Sequence, residues 1–325
     1  SSAGPRTRRR NMNNEKPLRL LLGPQRPTIN LPAAIEASGL APASLAVISA
    51  GWQEAEGDID DVRGILGLPL SDLGLYHRTE AVFAANPDIE SAYRARQERL
   101  QEQQRFYRLR LRQLAIAARE TLRAEGDAEV LAAEQRHAIA QLRALDRHHL
   151  RRTELAHATF EAAYPAAGSP ALAPHRAEIA AEIEAADGVL ITGGNVIVLL
   201  NRMRLFGLAD LLAAKPVIAW SAGAMALARR IVLFHDRMPQ GRRDAELLGK
   251  GLGLIDGHLF FPDPERRLRK HDRLRVGFLS RRFAPDACVA LDSGASVEFR
   301  GGLPRRADAA ERLTREGRFR RLRAA

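Results

Sequence analysis

The chain has 325 residues, of which 46% are hydrophobic, and it carries a formal net charge of +11. This apolar content suffices for a large core and excludes a chain that is disordered throughout. No apolar run approaches the ~20 residues of a membrane-spanning helix, and the single cysteine, Cys288, excludes an internal disulfide. We therefore expect a cytoplasmic protein with no membrane partner.

The positive charge comes mostly from arginine and is spread along the chain, with basic tails predicted at 1–16 and 304–325. Aromatic residues make up only 5% and do not alternate with the basic ones. A stacking surface for nucleic-acid bases is therefore not visible, and solvated arginine-rich surface is the favoured interpretation. Nucleic-acid association through the two tails stays open as a minor hypothesis.

The first predicted elements lie in 17–86 and indicate the start of an α/β domain. Apolar runs at Leu18–Gly23 and Ser44–Gly51 predict two buried strands, and Ile29–Gly39 between them predicts a helix that stops at glycine. Continuous apolar strands separated by helices are typical of parallel sheets. We expect an α/β fold with a mostly parallel sheet and helices on both faces.

Residues 87–165 contain no strand signal and follow a helical pattern. Tyr93, Leu100, Tyr107 and Leu114 are spaced seven apart, and a second periodic stretch follows the interruption at 125–127. The pattern predicts an inserted hairpin of two long antiparallel helices. Two interpretations are open: an arm for a homodimer or another partner, and a hairpin that packs on its own domain. Its histidines lack ligand spacing, so no metal is predicted.

The α/β pattern resumes over 166–303, which we predict to be the second half of the domain. His175–Gly188 predicts a helix, and Val189–Asn195 predicts a strand that runs into a glycine turn. Val217–Trp220 predicts a strand that ends at Ser221. The alternating stretch 286–302 predicts a hairpin whose turn is the sequence DSGA.

Ser221 stands where this strand meets a helix, and it is followed by the small residues Ala222, Gly223 and Ala224. A tight turn at this junction can expose a nucleophilic hydroxyl, and the helix N–H groups can stabilise an oxyanion. The elbow pattern is Gly-x-Ser-x-Gly, and Ala219 stands at its first glycine. The motif alone leaves open a catalytic serine or a structural junction.

Three stretches, "ITGGNVIVLL", "KPVIAWSAGAMA" and "GLGLIDGHLFF", resemble the S51 serine peptidases. These include aspartyl dipeptidase (peptidase E) and cyanophycinase, which share the class I glutamine amidotransferase-like fold. In aspartyl dipeptidases the acid follows the serine by fifteen residues and the histidine follows it by thirty-seven. Asp236 and His258 stand at those two distances from Ser221.

The resemblance implies a triad in which Ser221 attacks a peptide carbonyl, His258 moves its proton and Asp236 orients the imidazole. It also implies Gly194 and Ala222 as oxyanion donors, with Gly193 and Asn195 beside the substrate. His235 is a rival base. Other candidate orienting acids are Asp256 and Asp292.

The family accepts acidic residues, so the implied substrate is a small, Asp-containing peptide. Arginine forks recognise carboxylates, which makes Arg266 and Arg267 candidate substrate contacts. No cofactor or metal is expected. The alternative is a catalytically degenerate family member that binds a ligand or partner through its helical arm.

Overall fold

The computed structural model describes residues 17–236 and 244–324. The strands in these ranges are β1 (Arg19–Leu22), β2 (Leu45–Ile48), β3 (Leu70–Asp72), β4 (Gly188–Ile191), β5 (Val217–Trp220), β6 (Ile231–Leu233), β7 (Glu246–Gly249), β8 (His258–Pro262), β9 (Ala287–Leu291), β10 (Ser296–Arg300), β11 (Leu303–Asp308), β12 (Glu311–Leu313) and β13 (Phe319–Arg321). Seven form the central sheet, in the order β11-β10-β1-β5-β4-β2-β3. A smaller sheet has the order β13-β12-β9-β8, and β6 pairs with β7.

The helices in the same ranges surround these sheets. They are α1 (Leu31–Ala37), α2 (Asp60–Leu66), α3 (Leu75–Ala85), α4 (Pro87–Arg123), α5 (Ala128–Ala163), α6 (Ala173–Ala185), α7 (Val196–Leu205), α8 (Leu208–Ala213), α9 (Ala222–Leu227), α10 (Pro264–Arg267) and α11 (Arg273–Phe283). No helix in the described part of the chain has the length and apolar character needed to cross a membrane.

Five neighbouring strands of the central sheet, from β1 to β3, run parallel. Every residue of β1, β2, β4 and β5 is buried, because helices cover both faces of the sheet. The α1 and α2 side chains pack on one face, and α7 and α9 pack on the other. These observations confirm the predicted fold class. We call the edge formed by the last residues of the parallel strands the carboxyl edge.

The predicted helical hairpin is present as α4 and α5, which we call the arm. Asp127 starts α5 by accepting hydrogen bonds from the N–H groups of Glu129 and Val130. The apolar stripe that includes Tyr93 and Leu111 is buried in the main hydrophobic core. This stripe therefore packs within the chain's own fold.

A buried polar cluster fastens the arm to the body. The Tyr107 hydroxyl donates to Asp146 Oδ1 at 2.8 Å and accepts from Leu247 N at 3.0 Å. Arg282 of α11 donates to both Asp146 and Tyr107, at 2.7 Å in each case for Nη2. His149 stacks on the Tyr107 ring with centroids 4.1 Å apart. The cluster joins both arm helices to α11 and β7.

The predicted hairpin around DSGA is wrong. β9 belongs to the small sheet and β10 to the central sheet, so this turn carries the chain from one sheet to the other. The turn packs tightly: a Cβ added to Gly23 would lie 1.9 Å from the Asp292 carbonyl oxygen. The hairpin in this region joins β10 to β11 instead, through Gly301 and Gly302.

The two predicted tails differ in outcome. Residues 1–16 lie outside the described residues. Most of 304–325 is folded, since β11 extends the central sheet and β12 and β13 extend the small sheet. Ala310 and Leu313 are buried, while most of the arginines there point to solvent. Alternation lets a strand form with few apolar residues, which the charge run concealed.

Candidate active site

Ser221 lies directly after β5 at the carboxyl edge and is the first residue before α9. Its backbone has φ 51° and ψ −115°, a conformation that side-chain-bearing residues rarely adopt. Its N–H donates to the carbonyl oxygen of Leu22 at 3.0 Å, which ties the turn to β1. Its hydroxyl makes no hydrogen bond within the described residues. The hydroxyl is therefore available at the end of the strand.

Small residues allow this turn to form. A Cβ added to Gly223 would lie 2.7 Å from the carbonyl oxygens of Ile191 and Thr192, so only glycine lets α9 approach β4 this closely. A Cβ added to Gly193 would lie 3.2 Å from Ser221 Cβ. Ala219 is fully buried in β5, and the strained turn forms with this alanine in place.

Two candidate oxyanion donors lie beside Ser221. The N–H groups of Gly194 and Ala222 have no protein acceptor among the described residues. The next N–H after Gly194, that of Asn195, is already bonded to Gly51 O at 2.8 Å. Gly194 has φ +107°, and an added Cβ there would lie 2.3 Å from the Gly51 oxygen. The geometry leaves both N–H groups free to bind an anionic oxygen.

His258 is the first residue of β8. Its Nδ1 lies 2.9 Å from the carbonyl oxygen of Asp256, and its ring meets the Phe299 ring edge-on with centroids 4.9 Å apart. It makes no other hydrogen bond within the described chain. The imidazole is therefore held against β10.

The register of the central sheet shows how far the His258 imidazole lies from Ser221. Phe299 pairs with Arg19, the first residue of β1, whereas the Ser221 N–H bonds Leu22, the last. Three residues of strand span about 10 Å. His258 thus lies toward the amino ends of the strands, and the structure does not bring it to Ser221.

The end of β8, rather than its beginning, reaches the carboxyl edge. Asp263 follows β8 with φ 58°, and its N–H donates to Leu291 O at 3.0 Å. The neighbouring Asp292 packs against Gly23, which follows β1. Burial raises the pKa of the Asp263 carboxyl. The spacing from Ser221 selects His258, but β8 places Asp263 at the edge where catalysis would occur.

Asp236 is bonded to a guanidinium and not to His258 in the described structure. It is 1% exposed and accepts three hydrogen bonds from Arg275. Nη2 and Nε donate to Oδ1 at 2.7 and 3.0 Å, and Nε also donates to Oδ2 at 3.2 Å. The Arg269 N–H lies 3.3 Å from its Oδ2. No bond joins it to His258 among the described residues. The carboxylate thus pairs with a buried guanidinium, and its predicted role in a triad stays a prediction.

The carboxylates of the two alternative acids, Asp256 and Asp292, contact cations and not His258. Asp256 contacts His258 only through its backbone oxygen, while its carboxylate lies 3.4 Å from Arg229. The Asp292 carboxylate accepts from Lys270 Nζ at 3.1 Å. Neither carboxylate is bonded to His258 in the described structure.

His235, the rival base, lies in a segment beside the end of β8. The adjacent Phe234 ring packs on Phe261 with centroids 4.8 Å apart. The Asp236 N–H donates to Arg267 O at 2.8 Å, which ties the segment to α10. His235 therefore lies between two residues that contact the end of β8 and α10.

The other predicted substrate residues have structural contacts. The Asn195 side chain caps α7, and its Nδ2 lies 3.4 Å from Gln53 Oε1. Arg266 is exposed on α10. The Arg267 guanidinium lies over the Phe234 ring, 5.9 Å from its centroid. Asn195 stays next to Gly194, but neither arginine lines the cleft beside Ser221.

That cleft has a volume of about 370 Å³ and contains residues that the sequence analysis did not select. They follow β1 and β2, whose carboxyl ends converge on the same edge. This convergence could have identified the cleft residues from the sequence, because the loops that follow the two predicted strands could be located. Beside Ser221, Gly193 and Gly194, the polar and aromatic lining residues include Gln25, Arg26, Trp52, Asp58 and Asp61.

Residues 167–301 match the model of peptidase family S51, and this match confirms the resemblance over that part of the chain. No curated protein matches the chain. A solved structure of a peptidase from an acI-B1 Actinobacterium is 12% identical, with 95% of each chain covered and a TM-score of 0.47. A putative peptidase E protein from Listeria monocytogenes EGD-e is 19% identical over 42% of this chain and 65% of that chain, with a TM-score of 0.29. Neither likeness is strong enough to bear on the activity.

Proposed function

From the match of residues 167–301 to peptidase family S51, we propose that the chain is a serine-type peptidase acting on small peptides, with Ser221 as its nucleophile. The observation that carries the proposal is the strained turn at Ser221, which leaves the hydroxyl unbonded among the described residues. The free N–H groups of Gly194 and Ala222 support it, because they can stabilise the oxyanion formed by attack on a carbonyl.

In this proposal the base is His235 and not His258. A serine hydroxyl needs a base at hydrogen-bond distance in the reacting complex. The support for His235 is its segment, which packs against the end of β8 through Phe234 and Phe261. Nδ1 of His258 is turned to a carbonyl oxygen, and its ring is packed on Phe299.

The proposed substrate is a small peptide that carries an aspartate, as the family resemblance implies. The cation that lines the cleft is Arg26, whose Nη2 lies 3.3 Å from Asp61 Oδ2 at the surface. Because this ion pair is exposed, a substrate carboxylate can compete for the guanidinium at small cost. Arg26 therefore replaces Arg266 and Arg267 as the proposed carboxylate contact.

The test is an assay of purified protein against Asp-Leu, Asn-Leu, Leu-Leu and a β-linked Asp-Arg isopeptide. We expect hydrolysis of the Asp peptides, a loss of at least about a thousandfold in kcat/KM for Ser221→Ala, and a similar loss for His235→Ala. His258→Ala is the matched control and should keep kcat within about threefold. Hydrolysis that survives Ser221→Ala would overturn the proposal.

A second candidate function is a ligand-binding family member without hydrolysis. The observation that favours it is Asp263, which gives the end of β8 a carboxyl group where the triad needs an imidazole. Under this alternative all the peptides stay intact in the assay, but an Asp peptide still protects the protein from unfolding. Thermal melting of the Ser221→Ala variant with each peptide separates the two cases.

A further inference from the structure

A second cavity, of about 200 Å³, lies between the arm and the α/β body. α4 and α5 contribute Gln97, Gln104 and His157, while the body contributes Leu200 from α7 and Lys250, which follows β7. None of its lining residues belongs to the cleft beside Ser221. The arm helices therefore form part of the wall of this cavity.

His157 lines this cavity and is 92% buried, with a relative exposure of 8%. Its ring makes no hydrogen bond within the described residues, and Nδ1 is fully covered. Burial lowers the pKa of His157 to about 2, and the charges of Arg204 and Arg96 act in the same direction. A buried imidazole without a hydrogen-bond partner destabilises the fold unless a ligand satisfies it.

Two residues near His157 also have nitrogens without a hydrogen-bond partner in the described structure: Gln97, which lines the cavity, and Arg96, which does not. Arg96 is 5% exposed, and none of its three guanidinium nitrogens has a hydrogen-bond partner in the described structure. The guanidinium lies 4.4 Å from the ring centroids of both Tyr93 and Phe160. Gln97 Nε2 likewise has no acceptor. The unpartnered nitrogens of Arg96 and Gln97 are donors, so they need acceptors, and the Arg96 charge is positive.

The charged groups that line the cavity have the same sign. Arg108 and Lys250 are both lining residues, and no carboxylate appears among the described lining residues. Each cation is held from outside the cavity, Arg108 Nε by Glu246 at 2.7 Å and Lys250 Nζ by Glu154 at 3.2 Å. The rest of the lining is uncharged. Its polar side chains are Gln97, Gln101, Gln104, Thr153, His157 and Asn201, and its apolar ones are Leu100, Ile197, Leu200, Leu233 and Leu248.

We propose that this cavity binds a small organic monocarboxylate with an apolar body and no ammonium group. The carboxylate would supply acceptors near Arg108, Lys250 and His157, and the apolar body would lie among the leucines. An ammonium group would find no lining carboxylate to bind it. The volume limits the ligand to roughly the size of one leucine side chain with its carboxylate. This binding does not depend on Ser221 chemistry.

The test uses three probes of one shape, 4-methylpentanoate, 4-methylpentanamide and L-leucine, titrated by calorimetry into the Ser221→Ala protein at fixed ionic strength. We expect the carboxylate to bind at least about tenfold more tightly than the amide, since its hydrogen bonds are charge-assisted. Leucine should bind at least about tenfold more weakly than 4-methylpentanoate, because its ammonium is unpaired. Equal binding of the three, or no binding of the carboxylate, would overturn the proposal.

Substitutions of the two cations that line the cavity test whether the carboxylate binds there. Arg108→Gln and Lys250→Met should each weaken 4-methylpentanoate binding by about fivefold or more. Arg112→Gln, at an exposed arginine one turn along α4, is the matched control and should leave it unchanged. Thermal melting of each variant identifies any loss caused by unfolding. Binding unaffected by the combined Arg108→Gln and Lys250→Met substitutions would place the ligand elsewhere and contradict the inference.

Discussion

Ser221 carries the main strain at the residue scale. A residue with a side chain at φ 51° and ψ −115° costs about 1–3 kcal/mol, and the surrounding packing must hold it there. Gly193 and Gly223 supply that packing, because their missing side chains let the turn, β4 and α9 approach each other. The strained backbone is what exposes the Ser221 hydroxyl at the end of β5.

This strain gives a stability prediction. We expect Ser221→Gly to unfold with a free energy about 1 kcal/mol higher than Ser221→Ala, because glycine relieves the backbone strain by more than it loses in unfolded-chain entropy. Urea unfolding of the two variants measures the difference. An Ala variant as stable as the Gly variant would mean that the turn is unstrained.

His258 shows the limit of spacing as evidence at this scale. A count of residues from Ser221 says nothing about where a strand begins. Here β8 begins at His258, so this residue lies at the end of the strand opposite Asp263. Only the pairing of Phe299 with Arg19 reveals this, and that pairing joins residues far apart in the sequence.

The pairing of Asp236 with Arg275 predicts a role for this carboxylate in stability. Asp236→Ala should lower the free energy of unfolding by about 3–5 kcal/mol, because it leaves the buried Arg275 charge without this carboxylate. Combining Asp236→Leu with Arg275→Met should recover most of that loss. Urea unfolding checks both. An Asp236→Asn variant of normal stability that has lost only kcat would return this residue to catalysis.

At the scale of elements, the buried strands and the arm helices could be predicted from their local sequence patterns. The apolar runs of β1, β2, β4 and β5 and the seven-residue spacing of the arm were sufficient, because burial on both faces and helix periodicity leave direct traces in the sequence. The sheet to which a strand belongs leaves no such trace in the sequence. β9 and β10 alternate as a hairpin would, yet the packing of Asp292 on Gly23 sends them to different sheets.

The junction between the arm and the body predicts a pH dependence. Burial lowers the pKa of His149 to about 4, below its ordinary value of 6.5. The folded state therefore resists protonation that the unfolded chain accepts, and stability present above pH 6.5 is lost as the pH falls toward 4. Between pH 7 and pH 5 this histidine should cost about 2 kcal/mol of unfolding free energy.

The matched comparison is His149→Phe, which keeps an aromatic ring against Tyr107 without a titrating group. Urea unfolding at the two pH values should show a drop about 2 kcal/mol smaller in the variant than in the parent protein. An equal drop in both proteins would exclude His149 as its source.

At the scale of the whole molecule, the net charge overstates the basic surface. Several arginines are almost fully buried and serve the interior, among them Arg19, Arg96, Arg275 and Arg282. Arg19 donates to the carbonyl oxygens of Leu212 and Ala213 at the end of α8. Part of the +11 charge is thus internal, and nucleic-acid binding by the tails stays a prediction.

The homodimer predicted through the arm is testable on one face of α4. Phe106, Leu109 and Ile116 remain 51%, 58% and 38% exposed although the main stripe of the helix is buried. If a second copy covers them, the parent protein should elute as a dimer in size-exclusion chromatography with light scattering. Phe106→Ser combined with Leu109→Ser should then be monomeric. A monomeric parent protein would contradict the prediction.

The position of β1 between β5 and β10 has a consequence for synthesis on the ribosome. The two partners of β1, 217–220 and 296–300, are translated long after it. At about 5–20 residues per second, β1 waits roughly ten seconds or more for its first neighbour. The arm has both helices in succession and can form in that interval. A nascent chain therefore carries paired arm helices, still without Leu247 and Arg282, beside an open sheet, and chaperones have their longest opportunity to bind it then.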